Sequence, residues 1–159
     1  YFDPFRYVVG IMIIRICQNK SLIIYRDGEQ KRSFSNVLDC IKAVEQLMIS
    51  SKDLCGQVYN IGPDDNEISI KQLAYRIGHF AEVYPALQHF PDRPNEVKNA
   101  FCSSAKIKSE FNYVAAISAD KTIQEMVNWI KPRVRDFEYH LPIELVTDQT
   151  PKTWTDKLI

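Results

Sequence analysis

Two arginines, Arg32 and Arg93, carry most of the chemistry this 159-residue chain can do. A guanidinium held in place offers a planar fork of donors that grips an anion through two parallel hydrogen bonds, which a flexible lysine ammonium does poorly. Arg32 follows the Asp27-Gly28 turn, and Arg93 precedes Pro94, whose ring restricts Arg93 toward extended backbone. The alternative for Arg32 is a solvated arginine in the basic pair Lys31-Arg32, contributing little. Other side chains have weaker claims. Asn60 could offer its amide to a ligand or tie down its own loop. Tyr25 could pack on a flat ligand ring or simply end a core strand. His79, His89 and His140 lack acidic or cysteine partners at a ligand spacing. The four cysteines, at 17, 40, 55 and 102, form neither a redox pair nor a zinc knuckle, so no metal site is expected.

The elements that must position these groups alternate. The apolar run Tyr7 to Cys17 reads as a buried helix, about half the roughly 20 residues a membrane span needs and interrupted by Arg15. Leu22 to Tyr25 reads as a strand. With Asp27-Gly28 and a second extended run from Ser33 to Val37 it predicts a hairpin. Val37, Leu38, Ile41, Val44, Leu47 and Met48 have helical spacing and predict a helix from Asn36 to Ile49 with one face inward. Val58 to Ile61 reads as a short strand closing at Gly62-Pro63. Ser69 and Gln72 form a capping box for a helix to about Phe80. Leu87 to Phe90 is a further strand, and Ser104 and Ser118 are placed to cap two more helices. Pro132 ends the second. Strands alternating with helices predict an α/β layered fold. The segment 132–159, with Leu141, Ile143, Leu145, Trp154 and Leu158, reads as an extended tail docking on its own chain or a partner, because an exposed apolar tail is costly in water.

Composition narrows the partners. An apolar content of 45 percent suits an ordinary globular domain, and twenty basic residues balance twenty acidic ones. That balance gives no general pull toward nucleic acid or an anionic membrane, so anion recognition must come from a few placed arginines. No signal peptide is visible and the cysteines read as free thiols, which together predict a cytoplasmic location.

The stretch Leu22 to Asp39, LIIYRDGEQKRSFSNVLD, resembles a signature in the C-terminal part of nucleotide-sugar epimerases and dehydratases of the extended short-chain dehydrogenase/reductase superfamily. There a segment of the form IYGDGxQxRDF enters a helix through a V-x-D step. Ile24, Tyr25, Asp27, Gly28, Gln30, Arg32, Phe34, Val37 and Asp39 fit it; Arg26 replaces a glycine and Ser33 an acidic residue. Asp92-Arg93-Pro94-Asn95-Glu96-Val97 resembles the family's R-P-G-D-V step, with Asn95 for glycine and Glu96 for aspartate. Val58-Tyr59-Asn60-Ile61-Gly62 resembles its F/Y-N-I-G strand end, and Tyr1 to Pro4 its Y-G-P loop. Phe101-Cys102-Ser103-Ser104-Ala105-Lys106 stands where the family has Y-A-D-x-S-K-A, without the tyrosine hydroxyl or the aspartate.

The resemblance covers residues 1–131 and implies part of a Rossmann-like sheet with a small substrate-binding subdomain. It implies that Arg32 and Arg93 meet the diphosphate of a nucleotide-linked sugar, that Glu96 approaches the ribose, and that Asn60 and Tyr25 complete the substrate site. NAD or NADP is implied too, bound mainly by an upstream portion, since neither G-x-x-G-x-x-G nor the catalytic Y-x-x-x-K occurs here. This chain alone is therefore expected to be inactive and to hold no catalytic residue. The full-length protein is expected to be a homodimer. The competing expectation is a non-catalytic binding or regulatory module, or a degenerate enzyme, on the same scaffold.

Overall fold

The computed structural model describes residues 7–137 and 146–158. The loop expected over 1–6 and the residues His140, Leu141, Pro142, Ile143 and Leu145 lie outside them.

Helix α1 (Val8–Cys17) buries Met12, Ile13, Ile14 and Ile16. Strand β1 (Leu22–Tyr25) follows, with Leu22 and Ile24 fully buried and the alternate residues half-buried. Burying side chains of this size contributes about 1.5–3 kcal/mol each, which fixes the register. Strand β1 pairs in parallel with β4 (Leu87–Phe90), Leu22 opposite Leu87 and Tyr25 opposite Phe90.

The predicted hairpin does not form. Strand β2 (Lys31–Ser33) lies in a second sheet, antiparallel to β3 (Glu67–Ser69) on one side and parallel to β5 (Asn99–Ala100) on the other. The turn is real, since the Gly28 amide donates to the Tyr25 carbonyl at 3.1 Å. Both Arg26 (φ 56°) and Gly28 (φ 76°) take left-handed backbone, and the chain passes from one sheet to the other. Buried β1 takes its partner from β4, the more apolar strand. Arg26 adopts a conformation that costs a side-chain-bearing residue about 1–2 kcal/mol, which accounts physically for a glycine at this point in the resembling signature. Strands β3 and β5, of three and two residues, carry no alternating pattern long enough to read from sequence.

Helix α2 (Val37–Met48) is capped by Asn36, whose side-chain oxygen accepts from the Leu38 amide at 2.8 Å. Its apolar stripe departs from expectation: Val37, Leu38, Ile41, Val44 and Met48 are exposed, while Asp39 and Ala43 are buried. Among the described residues α2 packs through Asp39, Ala43 and Leu47, with Ala43 in a small second core with Ile107 and Tyr113 and Leu47 packed against it. The Ile117 amide donates to Asp39 Oδ2 at 2.8 Å, and Asn36 Nδ2 donates to Thr122 Oγ1 at 2.9 Å. Helix α3 (Ile70–Ala81) starts from the full Ser69–Gln72 capping box. Helix α5 (Ala119–Ile130) starts from Ser118, and Pro132 lies in the 3-10 turn Lys131–Arg133 that ends it. Helices α1, α3 and α5 pack together over β1 to form the main core.

The segment from Val58 to Ile61 is irregular rather than a strand. Ser104 precedes helix α4 (Ala105–Phe111) without capping it. Its amide and hydroxyl donate instead to Asp64 Oδ1 at 2.7 and 2.6 Å, and Lys108 Nζ donates to Asp64 Oδ2 at 2.7 Å. These donors hold the Asp64 carboxyl down at about 2, the Lys108 bond contributing most. The tail is not wholly extended, because Lys152–Thr155 forms a short helix, α6. Among the described residues no helix is long and apolar enough to cross a membrane, and no group of His, Cys, Asp and Glu is placed to hold a metal ion.

Candidate functional site

Strand β2 is the middle strand of its sheet, so Arg32 is braced from both sides, opposite Ile68 on β3 and Ala100 on β5. Its Nη1 donates to the Lys31 carbonyl at 2.7 Å and the Lys98 carbonyl at 3.4 Å. Its Nη2 is left to reach Glu96 Oε1, also at 3.4 Å. Arg93 approaches the same carboxylate from the loop after β4: Nε lies 3.3 Å from Glu96 Oε2 and Nη2 lies 3.4 Å from Oε1. Asn95 between them adopts φ 59°, the left-handed backbone that asparagine tolerates. That bend turns Glu96 back toward Arg93.

One carboxylate therefore bridges two guanidinium groups separated widely in sequence. The two arginine side chains are 24 and 35 percent exposed and that of Glu96 is 17 percent exposed, so the triad is partly sheltered yet reachable. Two positive charges against one negative leave a net attraction for anions. The Arg93 guanidinium also lies over the Tyr25 ring, 4.9 Å from its centroid, a cation–π contact that limits where the arginine can swing.

These groups line a cavity of about 500 Å³. Gln30, Arg32, Arg93 and Glu96 supply polar lining together with Arg15 of α1, while Val8, Ile11, Met12, Ile23, Ile70 and Trp154 supply apolar lining. A shallower hollow of about 200 Å³ shares Tyr25, Gln30, Arg93 and Glu96 with it. Arg26 stands at that hollow, ion-paired with Asp92 at 2.8 Å. The main cavity is of the size that holds small organic ligands, with apolar walls and a few convergent polar groups.

Of the five residues singled out from sequence, Arg32, Arg93, Glu96 and Tyr25 come together here, and Asn60 does not. Asn60 Nδ2 donates to the Ser103 carbonyl at 3.2 Å, joining its loop to the segment before α4. Tyr25 serves in two ways, its ring carrying Arg93 and its hydroxyl hydrogen-bonding Thr153. Sequence reasoning passed over Gln30 as a lining residue, although it fits the signature, and Arg15, which had been noted only for interrupting an apolar run. It also passed over Thr153 and read Trp154 only as part of a docking tail, because no local pattern ties either to the arginines.

Residues 6–62 match the profile of the NAD dependent epimerase/dehydratase family. Among solved structures, the chain is similar to UDP-glucuronic acid 4-epimerase from Bacillus cereus in complex with UDP-glucuronic acid and NAD, with a TM-score of 0.76, 22% identity, and coverage of 82% of this chain and 41% of that one. UDP-glucose 4-epimerase from Thermotoga maritima with UDP-glucose gives a TM-score of 0.75, 21% identity, and 84% and 43% coverage. dTDP-glucose 4,6-dehydratase from Bacillus anthracis in complex with NAD gives a TM-score of 0.71, 22% identity, and 82% and 42% coverage. The chain thus spans about two fifths of the length of these enzymes. The family resemblance read from the signature is borne out, and the fold is the α/β fold of part of such a protein.

Proposed function

We propose that this chain is the nucleotide-sugar-binding part of an NAD(P)-dependent sugar-nucleotide epimerase or 4,6-dehydratase, with Arg32 and Arg93 gripping the diphosphate. The observation that carries the reading is the convergence of both guanidinium groups on the single carboxylate of Glu96. A diphosphate presents several anionic oxygens to the same donors and forms charge-assisted hydrogen bonds with each arginine. Glu96, released from between them, is then free to accept from a ribose hydroxyl. The apolar lining of the cavity takes the nucleoside. Relatives of this fold bind UDP-glucuronic acid and UDP-glucose, in keeping with a ligand of this class.

When bound, the nicotinamide group supplies reversible hydride transfer at the sugar. Its binding is assigned mainly to an upstream portion, because this sequence carries no G-x-x-G-x-x-G motif. Gly10 and Gly78 lie within helices, and a Cβ on Gly28 would meet Ile24 and Lys71, so that backbone faces packed side chains and not an open phosphate site. What this chain contributes is binding and orientation of the sugar nucleotide. The exposed apolar stripe of α2 supports its being one part of a larger folded unit, since a contiguous stripe of this kind normally marks a contact surface. Full-length enzymes of this kind would act as homodimers in the cytoplasm.

A second reading, a non-catalytic binding module or degenerate enzyme, draws on Phe101 and Ser104. Phe101 has no hydroxyl to offer, and the Ser104 hydroxyl is already bonded to Asp64. Fusing the chain to an upstream NAD(P)-binding portion separates the two, because turnover restored by fusion favours the enzyme.

Calorimetric titration of the 159-residue chain with UDP, dTDP, GDP and CDP tests the grip. Arg32→Ala and Arg93→Ala should each weaken binding tenfold to a hundredfold, about 1.5–3 kcal/mol for a lost charged hydrogen-bonded contact. Wild-type affinity in both variants would remove the diphosphate from this site.

A further inference from the structure

The C-terminal segment is part of the cavity wall. Thr153 is only 1 percent exposed and its hydroxyl hydrogen-bonds Tyr25, the residue whose ring carries Arg93. Arg15 on α1 donates through Nη1 to the Leu158 carbonyl and through Nε to the Ser21 carbonyl at 2.8 Å, clamping the end of the segment to the foot of β1. Between these two anchors Trp154 faces the cavity opposite Val8, Ile11 and Met12, with Ile23 and Ile70 also lining it. Trp154 is 44 percent exposed, although it sits one residue from a buried position. The segment leaves the cavity open at about 500 Å³, with Arg32 and Arg93 also lining it.

We propose that Trp154 is a further ligand-binding residue whose indole stacks on the nucleobase while the arginines hold the diphosphate. The inference rests on the nucleoside diphosphate reading above and adds the group that recognises the base. An indole half in solvent loses apolar exposure when a flat ring covers it, and every nucleobase has such a face. The cavity also offers both kinds of surface a nucleoside diphosphate presents, with the guanidinium groups of Arg32 and Arg93 and an apolar lining that includes Trp154. Anchoring by Thr153 and Leu158 holds the indole in place before the ligand arrives, which limits the ordering cost of binding.

The test uses the 159-residue chain carrying Trp129→Phe, so that Trp154 is its sole tryptophan. UDP should quench its fluorescence and inorganic pyrophosphate should not. Trp154→Ala should weaken UDP about five- to hundredfold, the range for loss of one base-aromatic stack, and leave pyrophosphate affinity unchanged. Trp154→Phe should recover most of the loss. Equal weakening of UDP and pyrophosphate, or no weakening of either, overturns the proposal. Failure of the unsubstituted chain to bind pyrophosphate or UDP at all overturns the diphosphate reading itself and this inference with it.

Discussion

Glu96→Gln should tighten binding of inorganic pyrophosphate. In the free protein the Glu96 carboxylate occupies the donors that an incoming diphosphate needs, at 3.4 Å from Arg32 and 3.3 Å from Arg93. At such separations Coulomb's law gives about 5 kcal/mol per pair at an effective dielectric of 20 and about 1 kcal/mol in bulk water. Partial exposure of all three side chains pulls the value toward the lower figure, and exposed pairs measured by mutant cycles contribute about 0.2–1 kcal/mol. Two pairs then place the competition at about 0.4–2 kcal/mol. Gln keeps the shape and removes the charge, so pyrophosphate should bind about two- to thirtyfold more tightly. Calorimetry at low and at physiological salt measures it, and the gain should shrink as screening shortens the reach of each charge. A thermal melt of the variant checks that the loop is intact. Unchanged or weaker pyrophosphate binding in a folded Glu96→Gln chain would mean that the carboxylate does not compete for these donors, and the electrostatic argument would fail.

Two further outcomes concern the scaffold. The Asp64 carboxyl is held at about 2, below its ordinary 3.8, so its contribution is complete above about pH 4 and is lost as the pH falls through about 2. Urea midpoints followed from about pH 5 to about pH 2 should therefore fall less steeply in Asp64→Asn than in the parent, and identical slopes would show that Asp64 does not lock α4 to its loop. Gly28→Ala places a methyl 2.8 Å from Ile24 Cγ2 and 3.1 Å from Lys71 Cβ at φ 76°. Left-handed strain and overpacking together should destabilise the chain by about 2–4 kcal/mol, read as a lower urea midpoint, and a midpoint equal to the parent's would refute the packing described for this turn.

Much of the positioning machinery was legible in the residues themselves. The helical spacing of α2, the Ser69–Gln72 box that opens α3, the Ser118 start of α5 and the strand β4 are local, set by periodicity and by which side chain can satisfy an orphan amide. The Asp27-Gly28 turn was local as well. What the turn joined was not. Hairpin or sheet exchange depends on which distant strand offers the better partner, and β1, with Leu22 and Ile24 sealed in the core, pairs with β4. The exposed face of α2 likewise escaped a periodicity argument, which finds an apolar stripe but cannot say what, if anything, covers it.

The sequence by itself determined the donor chemistry: two arginines set beside a turn and a proline, an acidic residue near one of them, and a tyrosine ending a buried strand. Only the tertiary structure decided that Glu96 would stand between both guanidinium groups, that Asn60 would bond to Ser103 instead, that Thr153 would anchor Tyr25, and that Trp154 would complete the cavity. The physical reason is that capping, turns and amphipathic spacing are satisfied within a few residues. Convergence of charges on one carboxylate, by contrast, is fixed by strand pairing and core burial between segments that share no local interaction.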